Sequence, residues 1–96
     1  GGKQYSFTAE AFYNYALGWL EGETNLIISA FKEDVETIVY QSKLSEREVI
    51  NINTKLDLTE YPDDTMLKIY WTDINGTPIN SEIYKLILIN FQLEEL

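Results

Sequence analysis

A chain of 96 residues leaves room for one hydrophobic core. It carries 16 Asp and Glu against 7 Lys and Arg, a net charge of −9, and neither Cys nor His. Disulfides, thiolate metal sites and imidazole-based proton transfer are thereby excluded, and so acidic a surface repels a phosphate backbone, which needs Lys and Arg clusters. A basic protein is the partner such a charge attracts.

The first residues, Gly1-Gly2-Lys3, begin without Met. Residues 1–7 are expected to be a disordered or expression-derived lead, and residues 8–96 one domain. No run approaches the roughly 18 apolar residues of a membrane span, so no membrane partner is expected. The compartment stays open, a cytoplasmic one being favoured. Much Ile, Asn, Lys and Tyr beside the single Arg47 fits an AT-rich coding sequence, as in low-GC bacteria and their phages.

From Thr8 the spacing of Ala9, Phe12, Tyr13, Ala16, Leu17 and Leu20 predicts a helix capped by Thr8 and stopped by Gly22. Its apolar arc is wide, because Tyr15 and Trp19 lie beside the main stripe. Gly18 in its interior would let another backbone approach closely. Tyr15, Gly18 and Trp19 are therefore the candidate surface for a homo-oligomer.

A second helix is predicted from about Thr24 to Ser42 on Ile27, Ala30, Phe31, Val35, Ile38 and Val39. The alternative is a strand pair turning at Lys32-Glu33-Asp34, which the β-branched residues favour. Ile50, Ile52, Thr54, Leu56 and Leu58 then alternate with polar residues and predict a half-buried strand. Tyr61-Pro62-Asp63-Asp64-Thr65 reads as a turn, followed by a strand from Met66 to about Asp73.

Asn75-Gly76 is a hairpin signal, and Ile79–Leu93 reads as the last strand, with a C-terminal helix from Ser81 as the rival. Apolar on both faces, that strand is expected at the centre of the sheet or under a partner. The fold expected is α+β: two N-terminal helices packed on a three-stranded antiparallel meander.

No set of residues supports catalysis. Asp63-Asp64 and Glu33-Asp34 are carboxylate pairs without a convergent pocket. Asp57, Glu60, Asp63 and Asp64 could offer oxygens to Ca²⁺, but turns use the same residues, and Asp73-Ile74-Asn75-Gly76 departs from a calcium loop at its Gly. No metal, cofactor or catalytic residue is assigned. Asn75-Gly76-Thr77 fits a glycosylation sequon but is explained as a turn.

The acid is grouped, however. Glu33, Asp34 and Glu36 on one element, and Asp57, Glu60, Asp63 and Asp64 with Tyr61 on one loop, would make a broad negative surface if they shared a side. The expectation is a small, non-enzymatic acidic binding protein. It would act as an inhibitor or immunity-type protein covering the basic, nucleic-acid-binding surface of another protein. The alternative is a structural module that oligomerises through its own apolar faces.

Overall fold

The computed structural model describes residues 3–13, 23–45, 48–81 and 85–96. They form six strands: β1 (Gln4–Tyr13), β2 (Glu23–Lys32), β3 (Val35–Ser45), β4 (Ile50–Asp57), β5 (Leu67–Thr72) and β6 (Leu86–Glu95). One antiparallel sheet has the order β4-β1-β6 and the other β3-β2-β5. Phe7, Ala9 and Ala11 of β1, Leu26 and Ile28 of β2, and Ile52 and Leu56 of β4 form one buried cluster between the sheets. The chain is an antiparallel β-sandwich.

The α+β expectation is overturned, since no helix occurs among the described residues. At β1 the helical spacing misled because Ala9 and Ala11 are good helix formers. The controlling pattern has period two and starts earlier, at Tyr5, Phe7, Ala9, Ala11 and Tyr13. Phe12, counted toward a helical stripe, lies on the opposite face from Tyr13, half-buried. Phe7 is in the core, and β1 begins at Gln4. Tyr15, Gly18 and Trp19 lie outside the described residues.

The second predicted helix is the β2–β3 hairpin, the alternative weighed for that segment. Lys32 pairs with Val35 across a two-residue turn in which Glu33 and Asp34 both have positive φ, 52° and 64°. Two left-handed residues are what a type I′ turn requires. The strands hid in the sequence because β2 is buried on both faces: Leu26, Ile28 and Ala30 inward, Ile27 and Ser29 outward. A strand flanked on both edges and covered on both faces loses its alternation.

The strands predicted at 50–58 and 66–73 are present, but the meander is not. β4 pairs with β1, while β5 joins β2 in the opposite sheet. The Asn75-Gly76 turn does form. Gly76 takes φ +88°, and the Asp73 carboxylate accepts the N–H groups of Asn75 and Thr77 at 2.9 and 3.0 Å. The returning chain makes only a bridge at Pro78 before crossing to the other sheet, where β6 becomes an edge instead of the expected centre.

All four edges are blunted. β6 has a bulge opposite Ala9, where Asn90 takes φ 53° and its side-chain amide donates to Glu10. β3 bulges at Val39, which lets both Val39 and Tyr40 reach the core. β4 presents Asn51, Asn53, Lys55 and Asp57 to solvent, and six-residue β5 is flanked by the 77–79 segment, whose Ile79 N–H donates to the Trp71 carbonyl at 2.9 Å. Bulges, charges and short lengths discourage strand addition by another chain.

A second buried cluster, Tyr13, Leu44 and Trp71, closes one end of the sandwich. The Tyr13 and Trp71 rings lie 4.8 Å apart, and the Thr24 hydroxyl donates to the Leu44 carbonyl at 2.7 Å.

Truncation at the centre tests the arrangement. Leu26→Ala should cost about 3 kcal/mol, as transfer and cavity terms combine at a fully buried site; an unchanged urea midpoint would remove Leu26 from the core. Ser29→Ala should act in the opposite sense. The Ser29 hydroxyl is buried without a hydrogen bond of ordinary geometry, so its loss should raise stability by about 1 kcal/mol.

Candidate functional site

The sandwich has two ends. One is closed by the Tyr13–Trp71 cluster. The other gathers the start of β1, the ends of β4 and β6, the β2–β3 turn, and the loop 58–66 that carries the chain from one sheet to the other. Three backbone bonds fix this loop: Leu58 N–H to the Lys3 carbonyl at 2.9 Å, Tyr61 N–H to the Leu58 carbonyl at 3.0 Å and Thr65 N–H to the Pro62 carbonyl at 3.1 Å. The Lys32 ammonium crosses from the turn to the Glu60 carbonyl at 3.2 Å and ties turn to loop.

Strand register and the position of loop 58–66 place Glu33, Asp34, Glu36, Asp57, Glu60, Asp63, Asp64, Glu94 and Glu95 at this end, against Lys3, Lys32, Lys55 and Lys68. More than half of the net charge of −9 is therefore concentrated there. The two acidic groups singled out in the sequence do share a side of the molecule. They do so through a hairpin turn and a loop; no helix carries them.

Between turn and loop runs a groove of about 580 Å³. Phe31, Pro62, Met66 and Leu67 give it apolar walls, and Glu33 and Asp34 border it on one side, Asp64 on the other. Met66, which lines the groove, is 74% exposed. Lys32 and Lys68 also line the groove, but both are engaged: Lys32 with Glu60, and Lys68 4.9 Å above the Tyr70 ring. No hydrogen bond or ion pair joins the Glu33, Asp34 or Asp64 carboxylates to another described residue.

The remaining predicted residues are less free. The Asp57 carboxylate accepts from the Thr59 hydroxyl at 2.7 Å and the Thr59 N–H at 3.0 Å, and these bonds hold its pKa below the ordinary aspartate value. Asp63 stands near Lys3, whose ammonium pairs chiefly with Glu95 at 3.1 Å. Glu60 contributes its carbonyl. Tyr61 is half-buried with its N–H on the Leu58 carbonyl and does not line the groove. The apolar contacts come instead from Phe31 and Met66, which the sequence reading assigned to a helix core and a strand start. The available signal was a large apolar residue on each side of the two acidic turns.

Glu36 is held by a strut across the outer face of sheet β3-β2-β5. Tyr70 on β5 reaches over β2 to donate its hydroxyl to Glu36 at 2.5 Å. That bond, chiefly, lowers the Glu36 pKa and raises that of Tyr70. Ser29, on the β2 strand that the strut crosses, lies near enough to bias both titrations, though its hydroxyl makes no well-formed bond to either. Phe31 pairs directly with Glu36, so the strut fixes one carboxylate beside the groove.

Among the described residues no three acidic groups stand close enough to share a metal ion, and no helix is long and apolar enough to cross a membrane. Fold and groove together define a small antiparallel β-sandwich with an acid-rimmed apolar groove at one end. Comparison with known protein families, with curated proteins and with solved structures finds no match.

The strut has a pH signature. A carboxyl with a lowered folded pKa contributes stability above its unfolded value, about 4.3 for Glu, and loses it as pH falls through the folded value. A phenol with a raised folded pKa contributes below about 10 and loses it as pH rises through the folded value. Tyr70→Phe should therefore be less stable than the parent on a plateau between these limits, the difference shrinking at both ends. NMR titration should show the Glu36 carboxyl moving up toward an ordinary glutamate in the variant; an unmoved titration would mean that the hydrogen bond is absent in solution.

Proposed function

We propose that this protein is a small, non-enzymatic binding protein whose acidic end docks on a basic surface of another protein. One observation carries the reading: the carboxylates of the β2–β3 turn and of loop 58–66 converge on one end, and three of them, Glu33, Asp34 and Asp64, have no hydrogen-bond or ion-pair partner among the described residues. Fixed, unpaired charge of one sign steers association and selects partners of the opposite sign. A partner that uses such a basic surface to hold nucleic acid would be blocked by it, so the reading extends to an inhibitor or immunity-type role.

Titration with deca-lysine, followed by amide NMR at low salt, tests the reading. Shifts should concentrate at residues 33–36 and 57–64 and collapse near 0.5 M salt, where the screening length is only about 4 Å. Glu33→Gln, Asp34→Asn and Asp64→Asn together should weaken binding roughly tenfold, at about 0.5 kcal/mol per exposed charge. Shifts spread evenly over all acidic residues, or indifferent to salt, would contradict the reading.

A second reading, self-association, has its own observation. Ile89, Phe91 and Leu93 on edge strand β6 are 42%, 50% and 40% exposed, and the Phe91 ring meets Phe7 edge-on at 5.1 Å while leaving half its surface bare. The bulge at Asn90 opposes continuous strand pairing there, so association would use side-chain packing. Sedimentation at about 100 μM, in the range where weak contacts populate, should show a dimer that Phe91→Ser abolishes; a monomer throughout removes this reading.

A further inference from the structure

The groove has more structure than a charged patch requires. A purely electrostatic surface needs only exposed carboxylates, yet here Phe31, Pro62 and Met66 leave an apolar trough between Glu33 and Asp34 on one wall and Asp64 on the other. At about 580 Å³ the trough is open to solvent and has ample room for one bulky side chain. Resting on the proposed function, we infer that the groove takes one large apolar side chain of the partner, flanked on both sides by Lys or Arg. The partner element is thus a basic segment with an aromatic or aliphatic anchor.

Charge decides the sign of the flanks. An anionic ligand would need the two lysines, but Lys32 donates to the Glu60 carbonyl and Lys68 stands over the Tyr70 ring. Both ammonium groups keep their charge, but Glu33, Asp34 and Asp64 outnumber them, have no hydrogen-bond or ion-pair partner among the described residues, and lie at the end of the molecule where carboxylates exceed lysines. A cation on each side of the anchor then meets a carboxylate, and the anchor removes apolar surface from water at Met66, where little else covers it. Interface hot spots are commonly large anchors seated in well-packed pockets and ringed by contacts that exclude water.

Two five-residue peptides of equal charge separate the ideas: phenylalanine between two pairs of lysines, and glycine in its place. The phenylalanine peptide should bind about tenfold more tightly, from the burial of one aromatic side chain. It should also show intermolecular NOEs from its ring to the Met66 methyl and the Phe31 ring. Met66 is exposed enough for Met66→Gln to fold normally, and that variant should lose most of the preference while still binding deca-lysine. If both peptides bind the acidic end equally, the anchor inference fails and the electrostatic reading stands. If the preference survives in Met66→Gln, or the NOEs map elsewhere, the groove is not the anchor site. If neither peptide nor deca-lysine binds, the proposed function falls and this inference with it.

Discussion

The structure depends on the contact between two central strands. β1 and β2 each have a neighbour on both edges, and their inner faces meet across the sandwich through Phe7, Ala9 and Ala11 against Leu26 and Ile28. The alanines matter because sheets packed about 10 Å apart must interleave large side chains with small ones. Phe7, Leu26, Ile28 and Leu56 fill the space that Ala9 and Ala11 leave. A larger residue at either alanine would push the sheets apart at their most crowded point. With the two central strands fixed, the remaining four are placed as flanks.

The order of those flanks makes the acidic end. The chain alternates between sheets after β3, so β4 ends in one sheet and β5 begins in the other. Loop 58–66 must therefore span the sandwich at one end, and it does so beside the β2–β3 turn. Neither acidic group would need to meet the other in a meander, where β4 and β5 would be hairpin neighbours. Topology, more than local sequence, brings Asp64 opposite Glu33 and Asp34. The same crossing exposes Met66, the last loop residue before β5, on the wall between them.

Legibility in the sequence followed how many faces and edges each strand shares. β4 and β5 were readable: β4 is an edge strand with one wet face, so Ile50, Ile52, Thr54, Leu56 and Leu58 kept their alternation. β1 keeps it too, but from Thr8 onward its small core residues mimic a helix, and the alternation is plain only from Tyr5. β2 lost it through burial on both faces, and its hairpin gave no Asn-Gly signal because Glu33 and Asp34 occupy the positive-φ positions. β6 misled in the other sense. Its apolar run suggested a central strand, yet it is an edge whose outer half stays exposed. At the site, the grouping of acid was legible from spacing along the chain. The apolar trough was not, since Phe31 and Met66 are 35 residues apart and only the β2–β5 register makes them neighbours.

These features divide the surface by what each part tolerates. Every sheet edge carries a feature that opposes strand addition: a bulge at Asn90, a bulge at Val39, charges along β4, and a covering segment beside β5. An acidic chain with such edges resists non-specific association both electrostatically and by backbone geometry. Against that background, the 58–66 end runs the other way. It keeps like charges together, which costs stability through repulsion, and it leaves Met66 exposed and Phe31 only half-buried. A fold selected for stability alone would disperse the carboxylates and cover the methionine. Acid and apolar surface thus stand together in one groove, which separates this end from the exposed apolar residues of β6.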